Sequence, residues 1–511
     1  MSVPTKYIGL NHIDLETIGQ IAAMKCKIAL SEDDCFVNKI AKGPKLVEKL
    51  LAEGRVIYGV TTGLGENCGT AVEPKLIEQY PNHVIQFHGC ALGLLFSPEE
   101  TRAIIAARLV SLAKGNSGVR MELLQGLASL LQHDILPRIP QEGSVGASGD
   151  LSHLSYIGAV ICGFRTVDYL GKVMTASEAL QIVGVTPVVL ENKEALGILN
   201  GTSAMTGVAI LSWQRAQRLS QLATRVTSLA ITALKGNRFH YEKELFEVKN
   251  HKGMQLVAER IRSDLAISAP EYHTKERIQD RYSIRCAPNV IGVLEDVLSF
   301  TRGVIEAELN STNDNPVIDV NAGKVYHGGM FYGGHIAMAM DTLKVQVASV
   351  ADLIDRQMAI LVDTKYNNGL PADLTGAIGP AKAINHGLKG LQITMSGWTA
   401  EALKMCMPAT VFSRSTESHT QDKVSMGTIA ARDCRRVIDL TEQVIAGMLI
   451  AVRQGLALRA RQGEKVTLSE SAISFVNLIS RDVAEFTDDV FLEPVLRNLL
   501  QTINQMPHTI Y

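Results

Sequence analysis

Three observations predict a mainly α-helical fold for this 511-residue chain: a bundle of long helices with a smaller mixed amino-terminal region. In the second half, apolar residues return every three or four positions over many turns, the period of a helix and not of a strand. Proline is scarce at 16 while glycine numbers 42, so long helices run without interruption and glycine is left for the turns between them. A composition that is 46% apolar and 20% charged supplies a large core and excludes disorder.

Taken in order, the first half is mixed, with short strands expected near Val56–Val60 and Lys172–Met174. Ala195 to Gln214 runs twenty residues without a charge, which is the length of a membrane span. Its Asn200, Gly201, Thr202, Ser203, Thr206 and Gly207 make it a buried core segment instead. Asn289 to Leu309 carries Val290, Val293, Leu294, Val297, Leu298, Val304 and Ile305 on helical spacing. From Ile336 the same stripe continues through Met340, Leu343, Val347, Val350, Ile354 and Met358 to Leu361. A further helix is expected over Ala430–Arg461. Each is apolar over a wide arc, so several neighbours must surround it, helices of other subunits included. Length alone suggests about three domains. The helical pattern instead divides the chain into residues 1–200, which carry the active-site loops, and residues 201–511, the long-helix bundle.

Charge and motifs narrow the function. Lys plus Arg number 50 against 52 for Asp plus Glu, a net charge of −2, so no nucleic-acid partner is expected. The amino terminus, MSVPTKYIGLNHIDLETIG, has no apolar core of signal-peptide length, so a soluble, cytoplasmic protein is expected. The eight cysteines are dispersed without a CxxC, and the thirteen histidines form no ligand cluster, so neither a metal nor a disulfide framework is expected. GLGENCG at 63–69 has the wrong spacing for a dinucleotide loop, there is no GxxxxGK[ST], and Gly146-Ala147-Ser148-Gly149 is not GxSxG. No lysine stands in the setting a pyridoxal cofactor would need.

What remains is a set of loops rich in Gly, Asn, Ser and Thr at 58–70, 143–155, 199–207, 310–316, 327–334 and 366–371. Such loops hold backbone close to something. The most unusual is Gly143-Ser144-Val145-Gly146-Ala147-Ser148-Gly149-Asp150-Leu151. If it bends tightly, the Gly149 amide nitrogen approaches the Ala147 carbonyl carbon, at backbone angles that glycine tolerates best. Loss of water from that adduct and from Ser148 gives a five-membered ring with a methylidene conjugated to a carbonyl, a strong electrophile made from the chain. It suits removal of ammonia from an α-amino acid, where the amine is a poor leaving group and a base must take a weakly acidic β-proton.

Here the sequence resembles the aromatic amino acid ammonia-lyase and aminomutase family, which includes the histidine, phenylalanine and tyrosine ammonia-lyases. GSVGASGDLSHLSYIGAV contains that family's precursor of 4-methylidene-imidazol-5-one (MIO) at Ala147-Ser148-Gly149. The likeness extends through YGVTTGLG (58–65), LNGTSAMTG (199–207), QDRYSIRCAPNVIG (279–292), NSTNDNPVID (310–319), HGGMFYGG (327–334), NNGLP (367–371) and TQDKVSMGT (420–428). It implies the ammonia-lyase fold, an MIO group formed autocatalytically with no metal or nucleotide, and a homotetramer whose sites each draw on three subunits.

The resemblance also implies roles. Tyr58 matches the catalytic base, which requires that its phenol be lowered by hydrogen bonds or helix amino termini. Arg285 matches the clamp on the substrate carboxylate, a task suited to its planar fork. Tyr282, Asn200 and Gln279 match residues around the prosthetic group and the polar end of the substrate. Phe331 matches an aromatic packed nearby, and Glu417 and Gln421 match polar residues on the amine side. Lys389 also matches a pocket residue. Asn313, Asp314 and Asn315 are expected in a capped, buried turn. Phe87 and His88 occupy the positions associated with substrate choice, where histidine lyases commonly carry Ser-His with a Glu at the position of Gln421. Phe87, His88 and Gln421 together favour L-tyrosine, with 4-hydroxycinnamate as product, ahead of L-phenylalanine and L-histidine. A 2,3-aminomutase would use the same residues. Leu64 and Met330 depart from the commoner TGFG and HGGNF patterns and are expected near the pocket, where they would reshape it.

Overall fold

The computed structural model describes residues 4–266, 278–507 and 510–511. Its long helices are Ser203–Ala233, Ala287–Leu309, Gly334–Val362 and Gly427–Arg461, and the last three cover the segments whose apolar period predicts them. The mainly helical architecture is the one expected. The uncharged run from Ala195 divides into a short helix, Glu194–Leu199, and the start of Ser203–Ala233. The break lies at Asn200–Thr202, where a Cβ on Gly201 would fall 1.9 Å from the Arg108 guanidinium. Ser203–Ala233 is buried along nearly its whole length although it is rich in hydroxyls. Thr206, Thr224, Ser228 and Thr232 each donate to the carbonyl four residues earlier, so no water is needed to satisfy them. Among the described residues, no helix is long and apolar enough to cross a membrane, and no group of acidic, His or Cys side chains is arranged to hold a metal.

Two compact units interleave in sequence. The first takes Met1–Ser212, Arg302–Asp341 and Pro408–Arg432, and the second takes Trp213–Thr301, Thr342–Met407 and Asp433–Tyr511. One cut near residue 200 does not separate them, because each of the four long helices contributes residues to both.

Among the described residues every strand lies in the first unit. Thr5–Ile8 pairs in parallel with Lys27–Leu30, Leu92–Leu95 pairs antiparallel with Pro140–Glu142, and Val317–Asp319 forms a hairpin with Lys324–Tyr326. Lys172–Thr175 is the predicted strand, antiparallel to Thr166–Tyr169. Val56–Val60 is not a strand. Gly59 at φ +67° bends it into a turn in which the amides of Val60 and Thr61 both reach the Ile57 carbonyl. A β-branched composition is overridden there by one left-handed residue.

The turn Asn313–Asn315 anchors this unit. Asp314 and Lys193 form a fully buried ion pair, and Ser117 Oγ donates to the same carboxylate at 2.8 Å. Arg108, also fully buried, donates to the Gly197 carbonyl at 2.6 Å and to Asn313 Oδ1 at 3.0 Å; burial lowers its pKa to about 10. In the second unit, Arg215 pairs with Asp439 and Glu442, and Arg225 pairs with Asp264, which also accepts from Tyr511.

Candidate active site

Three helices of the first unit pack on one another: Tyr80–Phe87, Leu151–Ile161 and Glu194–Leu199. Their ends carry the chemistry. His88 caps the carboxy terminus of the first, Asp150 precedes the second, and Asn200 caps the carboxy terminus of the third. A cavity of about 820 Å³ opens beside them, within the usual range for a small-molecule site. Its lining draws on five of the six glycine-rich loops that the sequence singles out; the loop at 366–371 contributes none of it.

The loop 143–150 is folded back on itself. Ser148 and Gly149 both take left-handed φ values, +52° and +77°, and a Cβ on Gly149 would stand 2.1 Å from the Gly201 carbonyl oxygen. Only glycine fits there. Asp150 N–H donates to that same Gly201 oxygen at 2.8 Å. Asn200 Nδ2 donates to the Ser148 carbonyl at 2.9 Å, and Gln421 Nε2 donates to Ser148 Oγ at 3.1 Å. Below the loop, the fully buried Asp150 carboxylate accepts from the Met205 amide at 2.8 Å and from the hydroxyls of Thr428 and Ser144. Burial raises its pKa, offset in part by His153 and these donors.

Tyr58 reaches the same cavity. Its hydroxyl oxygen accepts from the Gly65 amide at 2.8 Å, at the start of the short helical turn Gly65–Gly69. The Glu417 carboxylate lies across Gly65, where a Cβ would meet it at 2.0 Å, and accepts from the Glu66 amide at 2.9 Å. Burial pushes the Tyr58 phenol above its ordinary value; the Gly65 amide lowers it, and the Glu417 carboxylate raises it further. The donor expected of a base is present, but within this unit desolvation and a like charge outweigh it.

His88 is held by its own helix. Its Nδ1 lies 2.7 Å from the Val84 carbonyl, which makes Nδ1 the protonated nitrogen and leaves Nε2 as an acceptor. Burial lowers its pKa and keeps the ring neutral. The Phe87 ring lies 4.1 Å away, centroid to centroid.

Tyr58, Phe87, His88, Ala147, Ser148, Gly149, Asn200, Phe331, Glu417 and Gln421 are thus brought to one cavity. Gln279, Tyr282, Arg285 and Lys389 are not among its lining and belong to the second unit. There Tyr282 is 74% exposed, Arg285 lies over its ring at 4.7 Å and donates to the Asp280 carbonyl, and Lys389 faces Asp373. Leu64 lines the cavity, whereas Met330 is exposed and outside it.

Sequence reasoning missed other lining residues. Asn313 and Asp314 are buried as expected, but Asn315 faces the cavity, its Oδ1 accepting from Gly328 and its amide donating to Asn200 Oδ1. Tyr80 also lines it, and two helical turns separate Tyr80 from Phe87, a spacing that could have revealed it. Thr420 opens the TQDKVSMGT stretch but was given no role, and Thr416 carried no signal.

A model of the aromatic amino acid lyase family matches residues 13–479. The histidine ammonia-lyase of Gloeobacter violaceus is 33% identical over 500 residues, covering 96% of each chain. That of Vibrio cholerae is 33% identical over 451 residues, 88% of this chain and 87% of the relative. Among solved structures, the tyrosine aminomutase of Streptomyces globisporus superposes with a TM-score of 0.91 at 29% identity, covering 98% of this chain and 97% of that one.

Proposed function

We infer that this chain, which belongs to the aromatic amino acid lyase family and is a carbon–nitrogen lyase, eliminates ammonia from L-tyrosine to give 4-hydroxycinnamate. The observation that carries tyrosine is the acceptor nitrogen of His88, fixed by the Val84 carbonyl and set beside the apolar Phe87 ring. A phenol hydroxyl donates to such a nitrogen, and a phenylalanine ring leaves it unpaired, at a cost of about 1–3 kcal/mol.

Ala147-Ser148-Gly149 fits the precursor of an MIO group. Its two consecutive left-handed residues, the absence of room for a Cβ at 149, and the side-chain donors on both oxygens of Ser148 hold the tripeptide in a tight bend. Once formed, that group supplies an electrophilic carbon for the substrate's amine. Tyr58 is positioned to take the β-proton, with the Gly65 amide stabilising its phenolate. Glu417 offers a carboxylate to the ammonium end, and Asn200 and Phe331 shape the floor. Gln279, Tyr282 and Arg285 are assigned to the site from neighbouring copies in a homotetramer, where Arg285 would clamp the substrate carboxylate. The exposed Tyr282 ring supports that assignment.

L-Histidine is the second reading, favoured by the histidine ammonia-lyases at 33% identity. An imidazole N–H can also donate to His88. Against it stands Gln421, whose amide is engaged by Thr416 and Ser148 and carries no charge. Incubation with tyrosine, phenylalanine and histidine, following ammonia and acrylate absorbance, separates the readings. Tyrosine turned over fastest supports the first, histidine turned over fastest replaces it, and early accumulation of β-tyrosine assigns a mutase outcome.

A further inference from the structure

We propose that the Gln421 amide, aligned by Thr416, assists the departure of the Ser148 hydroxyl when the chain converts Ala147-Ser148-Gly149 into its prosthetic group. This rests on the MIO reading above. Thr416 Oγ1 donates to Gln421 Oε1 at 2.9 Å, which turns the amide nitrogen toward Ser148 Oγ, 3.1 Å away. The two residues are also locked backbone to backbone, amide to carbonyl in both directions, at 3.0 and 3.3 Å.

The chain between them is strained. Glu417, Ser418 and His419 are three consecutive non-glycine residues with left-handed φ, +51°, +52° and +68°. L-residues avoid this region because Cβ crowds the following carbonyl. The turn is closed by the Thr420 amide on the Glu417 carbonyl at 3.0 Å and by a contact between Ser415 Oγ and His419 Nδ1 at 2.8 Å. Strain of this kind persists where surrounding contacts over-determine it, and it gathers at functional sites. Here it sets Glu417 on the Tyr58 loop and Gln421 on the Ser148 hydroxyl from one short turn.

The chemistry needs a donor at that oxygen. Gly149 N bonds to the Ala147 carbonyl carbon; the Ala147 oxygen takes up the Gly149 N–H and Ser148 N–H protons and leaves as water, and a double bond forms between that carbon and the Ser148 nitrogen. Ser148 then gives its Cα proton to solvent water, and the C–H electron pair becomes the Cα–Cβ double bond. The Cβ–Oγ pair departs with the oxygen, which takes up a proton and leaves as a second water. Negative charge develops on Oγ as the bond breaks, and the Gln421 N–H points at that atom. Asn200 donates to the Ser148 carbonyl instead.

The test reads self-modification and not turnover. Newly synthesised full-length protein is sampled over time, and the mass of the peptide containing Ser148 is followed for loss of two waters. Gln421→Leu is expected to slow the loss about 10²-fold, the usual effect of removing one donor from a developing oxyanion. Thr416→Val, isosteric but without the hydroxyl, is expected to slow it roughly 10-fold, as losing an orienting partner generally does. Thr416→Ser keeps the donor and should match the wild type, with circular dichroism confirming native helix content in each variant. Conversion of Gln421→Leu and Thr416→Val at the wild-type rate overturns the proposal, and so does a Thr416→Ser variant as slow as Thr416→Val. If the wild type itself never loses two waters, the MIO reading fails, and this inference with it.

Discussion

At the scale of single residues, the proposed proton chemistry rests on Tyr58 and the Glu417 carboxylate beside its loop. The phenol lies above its ordinary value because burial and the Glu417 carboxylate both disfavour the phenolate. A base that must lose its proton first works better as pH rises, so kcat/KM for the amino acid should climb through the alkaline range. Replacing Glu417 by Gln removes the like charge, and the acidic limb of that profile should move to lower pH; a limb that stays in place identifies some other group as the base. Tyr58→Phe should lower kcat/KM by about 10²–10⁴.

His88 makes an independent prediction. With its pKa lowered, the imidazole is neutral at and above the ordinary histidine range, and its acceptor nitrogen is available. KM for tyrosine should hold steady across neutral pH and rise only at acid pH, where Nε2 gains a proton and can no longer accept. His88→Leu should move preference from tyrosine toward phenylalanine by roughly 10–10²-fold, the worth of one unpaired polar group. Equal effects on both substrates would make His88 a packing residue only.

Among the elements, three helix ends carry the site, and the buried turn Asn313–Asn315 braces one of them, the Asn315 amide donating to Asn200 Oδ1. Asp314 closes that turn on Lys193, both side chains fully buried. Asp314→Ala leaves an uncompensated buried ammonium, and a loss of about 3–5 kcal/mol of stability is expected, read as a lowered denaturation midpoint. A shift below 1 kcal/mol would show that Lys193 finds another partner. The helices themselves were legible beforehand: the stripe from Ile336 to Leu361 needs only its own period to be recognised, and Gly334–Val362 covers it. Val56–Val60 was not legible as a turn, since its composition favours a strand and a single glycine decides against it.

For the whole molecule, Gln279, Tyr282 and Arg285 stand in the second unit with the Tyr282 ring exposed. If a homotetramer assembles each site from several copies, two inactive variants can repair one another. Tyr58→Phe and Tyr282→Phe, each purified alone, should be nearly inactive, whereas their co-expression should restore about a quarter of the sites by random assortment. No restored activity would place both tyrosines in the site of one copy or in none.

The linear order of residues was sufficient for the long helical stripes and for the bend of small residues at Ala147-Ser148-Gly149, which follow from periodicity and backbone sterics acting over a few neighbouring residues. Its likeness to the aromatic amino acid lyases supplied the class of chemistry and the role proposed for Tyr58. Tertiary structure decided what depends on residues far apart in the chain. The carboxylate of Glu417 comes to lie across Gly65 and raises the Tyr58 phenol. Asn315 faces the cavity while its two neighbours are buried, and the Thr416 hydroxyl aligns an amide on Ser148. Contacts such as these are set by how helix ends and loops pack, and desolvation and charge act through that packing at distances of a few ångströms, whatever the separation in sequence.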